Sequence, residues 1–317
     1  MARAGPVSRA GRPGAGRYRP PADRCRDAET RRGTARPAGR SKLSWLDELI
    51  LKTLLALLLV GLGAAYTLGW WRLRAAGHAQ IAACWRLALY LAGLASLAAA
   101  LLSPLEALAE ELFSAHMIQH ELLTMYAPAL LLLGNPLPVV LWGLPRRARR
   151  MAARPLTRGR GLRRALWTLT RLPVAWAFYV GTLWAWHLPL LYEAAIRNFE
   201  AHVLEHAAFF GTALLFWWPI IEPAPRLRRR LNAGFKILYL IAATAQNTLL
   251  GMFLSLPQRA LYWHYAQTAA ARGADPLDDQ TLAGGIMWAS GHMYLLPILL
   301  LVWAYARQDA RASSSLA

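Results

Sequence analysis

The sequence predicts an all-α, polytopic membrane helix bundle with about seven transmembrane helices, and three observations carry that prediction. Of the 317 residues 56% are apolar, yet the formal charge is +19, from 36 Lys and Arg against 17 Asp and Glu. The apolar residues come in runs of about twenty, the length that crosses a hydrocarbon core as a helix. The arginines collect between those runs instead of being spread through them. Unpaired backbone amides are too costly in hydrocarbon, so each Leu-, Ala- and Trp-rich run has to satisfy itself as a helix.

Residues 1–42 hold Arg, Gly, Pro and Ala with few large apolar groups. Such a segment buries too little surface to offset its ordering entropy and is expected to be disordered. It is unlike a secretory signal, because its apolar run begins only near Leu46. The transmembrane domain is expected over 43–306, followed by a short cytoplasmic tail over 307–317. Its spans are Leu46–Gly69, Ile81–Leu102, Phe113–Leu133, Pro173–His187, His202–Ile221, Phe235–Leu256 and Leu282–Tyr305. The apolar stretch Pro136–Leu144 is too short to cross, and is expected to continue the third helix or to lie at the interface.

Loop charge orients the bundle. Arg72 and Arg74 follow the first span, a cluster from Arg146 to Arg171 follows the third, and Arg226, Arg228, Arg229, Arg230 and Lys236 follow the fifth. The alternate loops carry Glu106, Glu110 and Glu111, then Glu193 and Glu200, then Asp275, Asp278 and Asp279. Basic loops stay in the cytoplasm, so the N-terminus is expected outside a plasma (inner) membrane and the C-terminus inside. The N-terminal tail is the exception, since its own basic residues would lie outside. The basic excess needs no nucleic-acid partner: insertion energetics and anionic lipids account for it, and no basic domain interleaved with aromatics is present.

The two cysteines, Cys25 and Cys84, cannot make a disulfide framework, a CxxC clip or an iron–sulfur site. The histidines are the informative residues. On this topology His116, His120, His187, His202, His206, His264 and His292 all fall on the outer loops or the outer half of the membrane, and only His78 falls inside. His116–His120 and His202–His206 both read His-x-x-(Gln or Glu)-His at the start of a helix. Residues at i and i+4 share a helix face, with side-chain bases about 5–6 Å apart. Two such imidazoles can share one ion or serve two neighbouring ions. Neutral imidazole suits copper and zinc, and Met117, Met252, Met287 or Met293 would add thioethers suited to Cu(I). Gln119 and Glu205 stand beside the imidazoles, where either could hold one in place.

Each feature also has a plain explanation. One interfacial His is ordinarily a packing residue, each Met fills a core, and Pro189 ends a helix. Trp184, Trp186, Tyr192, Trp217, Trp218, Tyr262, Trp263 and Trp288 fit an interfacial aromatic belt. Two His pairs with His187 at one depth outweigh that explanation, because ionisable groups are expensive inside a membrane. Other chemistries remain open: a zinc protease with Glu205 as general base, haem held by two facing histidines, or a transporter using Gln246, Asn247 and His292.

Several blocks resemble one known family. His116-Met117-Ile118-Gln119-His120-Glu121-Leu122-Leu123, running through Ala127-Pro128 to Leu133-Gly134, is similar to the signature helix of the CtaG family, the assembly factors of caa3-type cytochrome c oxidase. Trp186-His187-Leu188-Pro189 with Tyr192, His202 with His206, Trp217-Trp218-Pro219, and Asp279-Gln280 before Gly284-Gly285 and Met287-Trp288 resemble its later blocks in order. The resemblance covers roughly residues 45 to 305. It implies a seven-helix inner-membrane protein, not an enzyme, that helps assemble a haem–copper oxidase, with oxidase subunits as partners and copper as cargo. By match to those blocks it marks His116, His120, His187, His202 and His206 as metal ligands. Met117, Glu205, Asp279, Gln280 and His292 are possible additions.

Overall fold

The computed structural model describes residues 42–156, 161–229 and 231–303. Nearly all of the expected N-terminal tail with Cys25, the expected C-terminal tail and the end of the seventh span at Tyr305 lie outside them. The chain divides into two units, Met1–Ile50 and Leu51–Ala317, and the helices that matter here belong to the second.

The described residues are mostly helical, and no strand occurs among them. Helix α1 is Lys42–Ala75, α2 Cys84–Leu102, α3 Pro104–Ala109 and α4 Phe113–Glu121. A π-helical turn, Leu122–Tyr126, joins α4 to α5, Ala127–Leu133. Then come α6 Pro136–Gly143, the basic α7 Arg146–Ala153, and α8 Gly161–Leu169. Helices α9 Leu172–Trp186, α10 Pro189–Arg197, α11 Phe199–Ile221 and α12 Ala233–Ser255 follow. The last are α13 Trp263–Ala271 and α14 Pro276–Gly291, with helical backbone continuing to Trp303.

Five helices are long and apolar enough to cross a membrane, and two bent pairs raise the number to seven if each is one span. The first pair bends by 65° between α5 and α6, at the place where a continuation or an interfacial piece was expected. Asn135 there adopts the left-handed conformation (φ 51°), and Pro136 opens the next helix. The second pair, α9 and α10, bends by 74° immediately after His187. Pro189 both stops α9 and starts α10, so it does more than end a helix. The seventh helix begins at Pro276 and not near Leu282, because Asp275 caps it through the Leu277 and Asp278 amides.

The alternating loops gather at two ends. At one, Arg72 donates to the Gly143 carbonyl and Arg163 to that of Arg226. At the other, His264 bonds the Glu110 carbonyl at 2.7 Å and takes Glu193 on its amide at 3.0 Å, and Arg272 pairs with Glu111. The acidic loops are therefore tied together, as the charge pattern requires of loops on one side of a membrane.

Two apolar clusters fill the unit. One includes Phe113, Tyr179, Phe209, Phe216, Leu240, Leu250 and Met287. The other joins α1, α2, α5 and α6 through Leu59, Tyr66, Leu73, Leu94, Leu131 and Val139. Close approach of α12 to α14 depends on small residues: a Cβ on Gly251 would stand 2.8 Å from Trp288, and one on Gly284 2.8 Å from the Gly251 carbonyl. Small side chains let helices approach in lipid, where burial supplies no hydrophobic drive between them.

Candidate metal centre

Two helices carry the pairs. Helix α4 presents His116 and His120 one turn apart, and α11 presents His202, Glu205 and His206 on a facing stripe. The start of α4 has no cap of its own, since Leu112 offers no side-chain acceptor. The cap comes from α14. Asp279 Oδ2 accepts from the Phe113 amide at 2.7 Å, and Oδ1 accepts from the Ser114 amide at 3.2 Å and the Ser114 hydroxyl at 2.5 Å. A carboxylate at a helix N-terminus also meets the positive end of the helix dipole. One turn past His120 the helix widens. Pro128 has no amide hydrogen for the Thr124 carbonyl, and Trp217 Nε1 donates to that carbonyl at 3.1 Å instead. Single π turns of this kind recur at functional sites.

His116, His120, His187 and Glu205 are each no more than 1% exposed, and His206 is 8% exposed. His202 alone of the group is half-buried. Ring centroids stand 4.2 Å apart for His116–His120 and for His202–His206, 5.5 Å for His116–His202 and 5.7 Å for His120–His206. His187, at the end of α9, lies 6.0 Å from His120. The structure thus brings all five sequence-predicted histidines together. Ligand atoms of His116, His202, Glu205 and His206 lie within 4.8 Å of one another, a spacing that fits a metal ion.

Hydrogen bonds set the direction of each lone pair. The Tyr265 hydroxyl donates to the Ala109 carbonyl at 2.7 Å, so it accepts from His116 Nδ1 at 2.7 Å. His116 therefore carries its proton on Nδ1 and turns the bare Nε2 inward. His187 Nδ1 donates to the Leu183 carbonyl at 2.7 Å, leaving Nε2 bare and without a partner. His206 Nε2, His120 Nδ1 and both Glu205 oxygens are also buried without hydrogen-bond partners. Fixing the outward nitrogen of an imidazole on a carbonyl or hydroxyl is how metal-binding histidines are oriented. A buried carboxylate with neither oxygen bonded costs several kcal/mol, about 3 or more, unless a cation offsets it.

Other expectations are placed elsewhere. His292 is exposed and packs beside Trp288, and it is not among the grouped ligand atoms. Met117 is fully buried within the apolar cluster. Gln280 Oε1 accepts from the Leu261 amide at 2.7 Å, so Asp279 and Gln280 both hold backbone in place. Gln119 donates to the Ala100 carbonyl on α2 at 2.8 Å, not to an imidazole. Tyr192 and Tyr262 are no belt residues: they are at most 1% exposed, Tyr192 lies 5.4 Å from His116, and Tyr262 donates to the His187 carbonyl. Trp217 is likewise buried. Tyr265 was not singled out in the sequence. Its spacing of three from Tyr262, at the start of a helix, was the available signal.

An uncharacterized protein of Mycobacterium bovis and another of Mycobacterium tuberculosis are each 28% identical over 261 residues, covering 80% of this chain and 39% of theirs. An uncharacterized protein of Mycobacterium leprae is 26% identical over 258 residues, 80% of this chain and 38% of its own. The chain thus spans about two fifths of the length of these curated relatives. No solved structure matches. The family model described as cytochrome c oxidase caa3 assembly factor matches residues 64–308, a stretch that includes α2 to α14 and every histidine of the centre; the chain belongs to that family.

Proposed function

We propose that the chain binds copper at this centre and hands it to a cytochrome c oxidase subunit during assembly, at the non-cytoplasmic face of the plasma membrane. The observation that carries this is the set of buried donors left unbonded, Glu205 Oε1 and Oε2, His187 Nε2 and His206 Nε2, converging between α4, α9 and α11. Membership in a family of oxidase assembly factors supplies the context, since a haem–copper oxidase must be loaded with copper. Imidazole and carboxylate donors suit copper and zinc alike and bind without the locking effect of several thiolates. His202, the half-buried ligand, stands where an ion would enter and leave. The role is that of a carrier, not a catalyst.

The test is metal analysis of the detergent-purified chain after exposure to copper and zinc together. Copper should be retained in the wild type and lost from the double variant His116→Ala, His206→Ala. Full copper in the double variant removes the ligand assignment, and zinc in copper's place removes the copper assignment. A Soret band in the purified protein would identify haem instead. In cells without the gene, the oxidase should accumulate with depleted copper, and full copper there removes the delivery role.

A further inference from the structure

The donors outnumber what one ion can use. Five imidazoles and two carboxylate oxygens line the pocket, whereas a copper or zinc ion in an N/O site takes about four ligands. They also divide. His116, His202 and His206 form one set with Glu205, their ligand atoms mutually within 4.8 Å. His187 stands apart from that set, facing His120 at 6.0 Å between ring centroids. Glu205 lies between the two sets: Oε2 is 4.0 Å from His116 Nε2, and Oε1 is 3.7 Å from His120 Nε2. Resting on the reading that this pocket binds metal, we infer that it is built for two ions, one on His116, His202 and His206 and one on His120 and His187, with Glu205 as the bridging carboxylate.

Each side has its own fixed orientation. His116 is anchored by Tyr265 from α13, and His187 by the Leu183 carbonyl of its own helix. His116 Nε2 stands 4.0 Å from Glu205 Oε2, whereas His187 lies on the His120 side of the group. His187 Nε2 has no partner. A pocket for one ion on the first set would leave this buried nitrogen without a function, at the cost that burying an unbonded polar group carries. A carboxylate that turns one oxygen to each side is the usual bridge between ions about 3.5–4 Å apart. The contact of 2.7 Å between His116 Nε2 and His120 Nε2 has to open on loading, and the His120 proton that fills it has to move to Nδ1, since each Nε2 then serves its own ion.

The experiment loads the detergent-purified full chain with Cu(II), removes excess by desalting, and measures copper per chain together with the integrated EPR intensity. Wild type should hold two coppers per chain, with EPR intensity well below that of the copper present, because a bridged pair couples magnetically. His187→Ala should hold one copper with full intensity. Glu205→Gln, which keeps shape and removes the bridging charge, should return full intensity per copper bound, and it serves as the check if His187→Ala elutes as aggregate. One copper per chain in the wild type overturns the two-ion inference and leaves the single-ion reading standing. No copper in the wild type overturns the metal reading itself. Two coupled coppers in His187→Ala, or undiminished coupling in Glu205→Gln, overturn the assignment of the second position.

Discussion

Asp279 and Glu205 are both buried carboxylates within the helix bundle, 8% and 0% exposed, and they are used in opposite ways. Asp279 accepts three hydrogen bonds from Phe113 and Ser114. Glu205 accepts none, although it lies within 4 Å of two imidazole nitrogens. Burial by itself does not mark a functional group. Unmet bonding capacity in a buried, convergent place does, because the fold tolerates the cost only where something else repays it. The first carboxylate builds α4, and the second faces what α4 carries.

Replacing the two carboxylates in turn should have the largest and most divergent effects. Asp279→Ala strands two amides and a hydroxyl at the start of α4, each worth about 1–3 kcal/mol when left unsatisfied. The variant should lose on the order of 3 kcal/mol of stability, read as a clear fall in melting temperature in detergent without added metal, with partial recovery in Asp279→Asn. Glu205→Gln removes an unbonded buried charge and should melt at the wild-type temperature or above it without metal. Its loss should appear only in the rise of melting temperature that copper gives the wild type. If Glu205→Gln falls as far as Asp279→Ala, the two carboxylates are equivalent scaffolding and the contrast fails.

A subtler change sharpens the same contrast from the imidazole side. Tyr265→Phe removes the hydroxyl that accepts from His116 Nδ1 and donates to Ala109. His116 then loses the group that fixes its tautomer, while the ring-filled wall around Phe113 and Tyr192 keeps its shape. Copper affinity should fall about 10–100-fold, the usual effect of losing an orienting partner. Competition with a chelator of known affinity measures it. Unchanged affinity would mean that packing alone orients His116.

Much of this was legible in the sequence. The helical class, the alternation of acidic and basic loops and the five converging histidines follow from periodicity, loop charge and helix register, which are local or additive signals. The role of Asp279 was not legible, because its partners Phe113 and Ser114 lie 166 and 165 residues away in sequence and only tertiary packing brings them together. Tyr192 and Tyr262 look like interfacial aromatics in sequence because composition cannot say which side of a short helix, or of the residue that caps one, turns inward. The π turn at Leu122–Tyr126 was equally hidden, although Pro128 was in plain view: a proline signals a disturbed helix but not where the freed carbonyl will find its donor.

The smallest expected effect tests whether position or residue type defines the centre. His292 belongs to the same side of the predicted topology as the five histidines of the centre and sits in a membrane helix, so the sequence alone groups it with them. In the structure its ring is exposed and bonded through Nδ1 to the Trp288 carbonyl one turn earlier, whereas Glu205 is fully buried. His292→Ala removes one local hydrogen bond at an exposed position and should change stability by no more than about 0.5 kcal/mol. Copper content and affinity should match wild type. A loss of copper in this variant would mean that the ion reaches the outer face of α14, and the boundary drawn around the centre by unbonded buried donors would have to be widened to include exposed ones.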